Sequence, residues 1–301
     1  MRTFLFFILL SATYLYPRCG LAQGYAEGVA LSYELLPLKF KTGDAPGFQA
    51  HVLRASAIMP VAVSADTSRC VLAGAGFEML RFVGERTGFD VTSVYGLSPI
   101  LGYRYRPTKR VELTALALPA LNSDLRELRA ADLTWGGVLR AAWQRNPHLT
   151  YRLTLGYRQQ FYGPQYVLLL GLDWGPTARW RVFGDLPTTF TVSYAATPRV
   201  NVGFNLIGIN TAYRLTPNDS YLQYQQGHYG LFAETYLAAH WALRATAAYA
   251  VTRRVELYAR DQQWPATLDY VGLGSAPVPQ SAPLAKGPTF RLALSYRVAT
   301  R

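Results

Sequence analysis

Three sets of residues in this chain are of types that do chemistry. The histidines come first: His51, His148, His228 and His240. A lipid hydrolase would need a serine and a histidine within hydrogen-bond reach near one membrane interface. His51 with Ser56 on one strand pattern, and Ser220 with His228 around a long polar segment, are the available pairs. Neither pair has a third residue to orient the imidazole, so loop and lumen polarity is the plainer reading. His148 and His240 sit in short turn segments as solvated residues. There is no His-x-Glu-x-x-His sequence and no Cys/His cluster, so no metal site is expected. Gly74-Ala75-Gly76 lies within a strand pattern and opens no helix, which removes a phosphate loop; no cofactor is expected. The chain reads as a non-enzyme, with an outer-membrane lipase as a distant third possibility.

The arginines are the second set. Arg104, Arg106, Arg140, Arg152, Arg158, Arg244, Arg291 and Arg297 share one phase of an alternating pattern and are expected to line a lumen. At the membrane midplane a charge on the lipid face would be destabilising by roughly 2–4 kcal/mol, so the inward face is where they belong. Acids in the same phase, Glu34, Glu112 and Asp132, are fewer. Two readings stand open: a ring of arginine that favours anions, or a hydrogen-bonded Arg–Asp–Glu–Tyr plug filling a narrow barrel. Asp173 is expected to be a wall residue paired with a nearby arginine. Arg81, Arg86, Arg126 and Arg129 fall near the outer rim, where lipopolysaccharide phosphates would meet them.

Tryptophan is the third set. Trp143, Trp174, Trp180 and Trp241 lie beside short turns, and Trp135 shares a strand face with Trp143. Eight residues at ~3.3 Å each and a ~40° tilt separate that pair by roughly 20 Å vertically, near the ~25 Å apolar band of a membrane barrel. Indole prefers the headgroup region. These five are therefore expected to form interface girdles.

The elements that must position such residues are strands. Leu149, Tyr151, Leu153, Leu155 and Tyr157 alternate with Thr150, Arg152, Thr154, Gly156 and Arg158, and side chains two apart share a face. Phe290 to Val298 repeats the pattern, as do 133–144, 189–195 and 241–251. Alternation predicts strands over 28–40, 48–64, 69–84, 91–106, 110–121, 132–145, 149–161, 166–174, 179–186, 188–196, 199–214, 227–238, 241–261 and 288–298. That makes 14; strand 179–186 is the weakest, and 12 is the fallback. Leu206-Ile207 breaks the alternation, which suggests a bulge. Tight links at 107–109, 146–148, 175–178, 197–198 and 239–240 tend to alternate with longer polar ones at 41–47, 85–90, 122–131, 218–226 and 262–287. Unequal ends of that kind mark a meander between two environments.

Composition agrees. The 301 residues are 50% hydrophobic and 14% aromatic, with 21 Tyr, but only 16% charged. This excludes a disordered chain, and two cysteines exclude a disulfide framework or a zinc finger. A basic start, an apolar Phe4–Leu10 run and Gly20-Leu21-Ala22 predict an export signal over 1–22, with 23–301 as a single domain. Its removal takes two arginines and no acid, bringing the formal charge from +12 to +10. Cys70 then remains alone, as a small apolar wall residue. A soluble sandwich also alternates, but gives no reason for 12–17-residue strands or for tryptophan beside the turns.

Several segments together resemble a Gram-negative family of outer-membrane β-barrels known only as a domain of unknown function. They are Ser98-Pro99-Ile100-Leu101-Gly102-Tyr103-Arg104-Tyr105, Pro119-Ala120-Leu121-Asn122-Ser123-Asp124, Phe161-Tyr162-Gly163-Pro164, Leu170-Gly171-Leu172-Asp173-Trp174 and Gly184-Asp185-Leu186-Pro187. The likeness runs from about residue 25 to 298. It implies a fold and an outer-membrane location, with no catalytic residue or ligand. The chain departs from many barrels in ending on Arg297–Arg301 beyond Tyr296, where an aromatic end serves the barrel-assembly machinery.

The reading is an all-β, antiparallel up-and-down transmembrane barrel. It is expected to act as a passive porin-like channel for small anionic or polar solutes. The alternative is a non-conducting structural or envelope-binding barrel, its contact surfaces the loops 122–131 and 262–287. Expected partners are outer-membrane lipid, lipopolysaccharide, the barrel-assembly machinery and the solutes. Nucleic acid is excluded, since the basic residues form no contiguous run. An energy-coupled receptor is excluded too, needing 22 strands and a separate plug.

Overall fold

A computed structural model describes residues 25–41, 47–63, 68–84, 90–216 and 219–299. The export signal expected over 1–22 lies outside them. The wall is built from β1 (Tyr25–Leu38), β2 (Phe48–Ala62), β3 (Arg69–Val83), β4 (Ser93–Thr108), β5 (Val111–Ala117), β6 (Ala120–Ser123), β7 (Leu133–Thr134), β8 (Gly136–Asn146), β9 (Leu149–Gln160) and β10 (Gly163–Trp174). It continues through β11 (Trp180–Leu186), β12 (Thr189–Ala195), β13 (Val200–Leu215), β14 (Ser220–Tyr236), β15 (Trp241–Ala259) and β18 (Gly287–Ala299), with β16 (Ala266–Leu268) and β17 (Val271–Leu273) as a small hairpin between the last two. β5 with β6, and β7 with β8, each make one wall strand. The ring therefore has 14 antiparallel strands, closed where β18 pairs with β1 through Leu31↔Leu294 and its neighbours. Closure leaves no sheet edge to satisfy, which is why strands can cross a bilayer at all.

Every second residue faces outward, and the outward residues are apolar. Leu97, Leu101, Leu139, Leu153, Leu155, Leu168, Leu170, Leu231 and Leu292 are all exposed, Leu231 at 69% and Leu170 at 65%. A water-soluble sandwich would bury this face; a lipid-facing wall requires it.

The two ends differ. One carries the turns 109–110, 147–148, 175–179, 196–199 and 237–240, together with Tyr25, where β1 begins, and Ala299, where β18 ends. The other carries 39–47, 84–92, 124–132 and 260–286, but also the tight turns 161–162 and 187–188. On that second side β11 and β12 are seven residues each. β10 pairs with β11 only from Leu170 onward, and β13 with β12 only up to Ile207. Between β10 and the upper part of β13 the barrel strands leave a gap. The β16–β17 hairpin fills it: β16 runs parallel to β10 through Gln165↔Thr267 and Tyr166↔Leu268. The Asp269 N–H donates to Tyr166 O at 2.8 Å, and Asp269 Oδ1 accepts from the Leu168 N–H at 3.1 Å. Two glycines allow the fit. Gly163, at φ +113°, turns where a Cβ would fall 2.2 Å from the Trp264 carbonyl oxygen, and a Cβ on Gly208 would fall 2.8 Å from the Tyr270 ring.

The upper ends of β13–β15 lean into the ring. Ser220 to Gln226 are seven consecutive buried residues, so β14 is covered on both faces there. On one face Tyr213, Leu215, Leu222, Tyr224 and Val255 pack with Leu36, Leu38, Phe48, Val52, Leu80, Phe82 and Val94 of β1–β4. On the other, Ala212, Tyr221 and Tyr258 pack against Tyr162, Phe161 and Trp264. At its edge β13 meets β6, where Arg214 pairs with Ser123 and the Asp124 N–H donates to Arg214 O at 3.1 Å. An apolar plug thus occupies the long-loop half of the barrel between β1–β4 and β13–β15.

Two expectations are corrected. Residues 218–226 are not a long loop, because β14 begins at Ser220. Their glutamines read as solvent-loving but are hydrogen-bonded inside: Gln223 to Asn210 at 3.1 Å, Gln225 to Tyr270 O at 3.1 Å and Gln226 to Glu34 at 3.2 Å. Nor is there a bulge at Leu206-Ile207, which stay in register with Phe190 and Thr189. Leu206 faces lipid and Ile207 faces inward in the phase of Ile209, which packs on the plug, so both are apolar without any slip. The irregularity falls instead between Gly227 and His228, in the pairing of β14 with β15.

Candidate functional site

The interior beneath the plug is polar and crossed by ion pairs. Six of the eight arginines assigned to the lumen meet carboxylates. Arg106 Nε lies 2.6 Å from Glu112 and Arg104 Nε 4.0 Å from it. Arg140 and Arg152 share Asp185 at 3.3 and 2.9 Å. Arg244 and Arg297 share Glu234 at 2.7 and 2.5 Å. Asp173 pairs with Arg181 through two bonds of 3.0 and 2.7 Å. The pairs share the inward phase, between adjacent strands at Glu112 and Asp173 and across one or two intervening strands from Arg152 and Arg140 to Asp185, so the period of two that puts arginine inside puts its partner there as well.

Arg158 and Arg291 differ from the other six. Among the described residues neither has a carboxylate within 4.0 Å. Arg158 Nε and Nη2 lie 3.2 Å from the terminal amide of Gln160, whose oxygen accepts from both once that amide is turned over. Arg291 Nη2 donates to Ser32 Oγ at 3.1 Å, and its buried Nε has no hydrogen-bond partner. Both line one cavity of about 590 Å³. Its wall mixes polar groups, Ser32, Ser56, Asn122 and Tyr270, and further charged ones, Arg54, Glu27, Glu78 and Asp269, with apolar ones, Leu118, Val138, Val167, Leu169 and Ile209.

A buried network separates that cavity from the plug. Arg54, on β2, donates to Glu34 at 3.0 Å and to Glu78, and the Tyr213 hydroxyl donates to Glu78. The Tyr224 hydroxyl donates to Gln226 Oε1 at 2.6 Å, and Gln226 Nε2 reaches both Glu34 and, at 3.3 Å, His228 Nδ1. On the other face of β13, Asp132 is fully buried against Arg214 at 2.9 Å. In the loop outside the wall, the hydrogen bond from Arg260 at 3.0 Å holds the Asp219 carboxyl below the usual carboxylate range.

The serine–histidine pairs do not assemble. Ser220 opens β14 and His228 lies eight residues along it, about 26 Å at ~3.3 Å per residue. His51 and Ser56 are five residues apart and face opposite sides of β2; His51 meets the Tyr33 hydroxyl at 2.5 Å, while Ser56 lines the cavity. Among the described residues no group of three His, Cys, Asp or Glu side chains could hold a metal ion.

Trp135, Trp143, Trp174 and Trp180 are exposed, Trp135 at 62%, and Trp241 is half-buried. Near the short-turn end Trp143 lies against Tyr151, Trp180 against Tyr194 and Trp241 against Tyr296, with ring centroids 6.0, 4.9 and 5.3 Å apart. Toward the other end Trp135, Tyr157 and Tyr166 form a run at 5.1 and 5.5 Å. Of the rim arginines, Arg126 and Arg129 are exposed beside Asp124 and Glu127, and Arg81 is exposed on β3. Arg86 lies outside the described residues.

No family model matches the chain, and no curated protein does. Solved structures similar to it include an outer membrane channel from Pseudomonas putida F1, 9% identical, covering 94% of this chain and 100% of its own, with a TM-score of 0.46. The NanC porin is 7% identical, covers 90% and 100%, and scores 0.39. The Pseudomonas putida toluene transporter TodX is 12% identical, covers 92% and 91%, and scores 0.41.

Sequence reasoning missed Arg54, Arg181, Arg214 and Arg253. Arg54 follows Val52 in phase, but its inward neighbours are plug residues, so the stretch around it alternates less clearly than β9. Arg214 and Arg253 bind main-chain or loop acceptors, Arg253 reaching Pro37 O, Gly287 O and Pro288 O, partners that no side-chain pattern announces.

Proposed function

We propose that this protein is an outer-membrane channel of the porin type for small anionic or polar solutes. The observation that carries the reading is a cavity of about 590 Å³ inside a lipid-facing wall, on which Arg158 and Arg291, among the described residues, have no carboxylate within 4.0 Å. A ring of Arg selects anions when its charge is left unpaired. On this reading residues 1–22 direct export and the rim arginines meet lipopolysaccharide phosphates. The chain then falls in the Gram-negative family of barrels that its motifs resemble, it is no enzyme, and the barrel-assembly machinery inserts it. Recording from the purified barrel in a planar bilayer tests the proposal. A conductance above background, with a reversal potential favouring chloride over potassium in a salt gradient, is expected. Silence at the single-molecule level would end the channel reading.

The second reading, a non-conducting structural barrel, is favoured by the plug, since Leu36, Val52, Leu80, Leu222 and Tyr224 close the long-loop half between two walls. It predicts that silence.

A further inference from the structure

The position of Arg158 and Arg291 says more than that the barrel prefers anions. Six inward arginines from the alternating pattern have a carboxylate within 4.0 Å, and only these two, among the described members of that set, do not. The same two line the cavity. They come from β9 and β18, which stand half the ring apart in the order of strands, so the cavity lies between them. Arg291 is tied down by Ser32 alone and keeps a buried Nε with nothing to donate to. Glu34 stands opposite Arg291 in register but is taken up by Arg54 and Gln226, so this buried guanidinium has no acid of its own in direct contact, which is costly. An anion delivered into the cavity would answer it.

An inorganic anion alone would leave the rest of the wall badly used. Leu118, Val138, Val167, Leu169 and Ile209 face the same space, and apolar surface is more stable covered than wet. An apolar patch beside convergent polar and charged groups, at this volume, suits a small molecule that has both an apolar and an ionic part. The Tyr270 ring on the β16–β17 hairpin adds an aromatic surface, seated over Gly208, where no side chain intrudes.

We propose that the cavity is a binding site for a small organic carboxylate with an apolar body, its carboxylate on the Arg291 guanidinium and its body on the Leu118–Val138–Val167–Leu169 side. This deepens the channel reading and rests on it for the solute's passage, though not for its binding. The guanidinium offers its two terminal nitrogens to the two carboxylate oxygens, the bidentate fit that Arg makes and Lys does not.

Equilibrium dialysis of the full barrel in non-ionic detergent, with benzoate as the probe and benzamide as its uncharged counterpart, tests the site. Benzoate is expected to bind at least tenfold more tightly than benzamide. Inorganic phosphate is expected to displace it poorly. Arg291→Gln should weaken benzoate at least tenfold and Val167→Trp should weaken it by occupying the apolar side of the cavity, whereas Arg106→Gln, paired with Glu112 away from the cavity, should leave it unchanged. Heat-modifiable gel migration establishes that each variant is folded. Equal binding of benzamide, displacement by phosphate as strong as by benzoate, or full affinity in a folded Arg291→Gln would each overturn the proposal. Conductance in potassium chloride, measured on the same preparation, keeps the two claims apart. Current without benzoate binding removes the site and leaves the channel; binding without current does the reverse.

Discussion

Arg297 of β18 grips Glu234 of β14 across the intervening β15, with Nη1 2.7 Å from Oε1 and Nη2 2.5 Å from Oε2. Arg244 of β15 approaches the same carboxylate at 2.7 Å, and Asn201 of β13 donates to it at 3.1 Å. One buried carboxylate therefore ties four consecutive wall strands together beside the seam where β18 closes on β1.

Removing that carboxylate takes from Arg244 its acid and leaves Arg297 with the more distant Glu27 at 3.7 Å. Breaking a buried pair by deleting one partner costs about 3–5 kcal/mol, so Glu234→Ala should lose that much in urea unfolding from lipid vesicles. Glu234→Gln keeps the hydrogen-bonding shape without the charge and should fall between. A Glu234→Ala barrel within about 1 kcal/mol of the parent would mean the pair is a solvated contact and not a tie.

Lipid and lumen alternate residue by residue along β10, and adjacent leucines test the phase. Leu170 is 65% exposed on the outer face, while Leu169 lines the cavity. Leu170→Arg should destabilise the barrel by roughly 2–4 kcal/mol if it lies near the bilayer midplane, and Leu169→Arg by clearly less, since its head meets a polar space. The comparison is read from paired unfolding curves in vesicles. Equal losses would contradict the assigned phase.

Most of this wall was legible because lipid imposes a strict rule. Outward residues of β8, β9, β10 and β18 must be apolar, inward ones are free to be Arg or Thr, and the period of two follows directly. The rule weakens where both faces are protein. Tyr221, Leu222, Gln223 and Tyr224 are all buried, so neither face has to be uniformly apolar, and the segment reads as a polar loop. The plug was hidden for the same reason: Val52, Leu80 and Leu222 occupy the phase in which a watery lumen would place polar groups. Arginine was placed by alternation, but which arginines are neutralised depends on register between strands far apart in sequence, as in Arg297 with Glu234. Sequence phase carries no register.

The β16–β17 hairpin closes its gap in the wall through a handful of bonds, and Asp269 makes two of them. Asp269→Ala removes the acceptor of the Leu168 N–H. The net loss of about 1–1.5 kcal/mol for one such bond should speed amide exchange at Leu168 by roughly tenfold. Amides of β9, paired to the other edge of β10, should not change. Unaltered exchange at Leu168 would show that the edge is protected by the lipid and not by the hairpin.

The plug separates the two functional readings, because its side chains can be shortened without touching any arginine. Leu80 and Leu222 are fully buried in it, contributed by opposite walls. Each Leu→Ala change should cost about 2–5 kcal/mol, the cavity term included, so the variants are made singly before the pair is combined. If the barrel conducts and the plug sets its narrowest passage, single-channel current should rise in the folded double variant, with chloride preference retained because Arg158 and Arg291 are intact. If the plug is the core of a structural barrel, shortening it should lower stability and leave the current at background, since the flanking packing of Tyr213, Phe48 and Phe82 still closes the mouth. The decisive comparison is current against stability in the same protein: a folded, destabilised double variant that stays silent defeats the channel, and one that passes more current than the parent defeats the structural barrel.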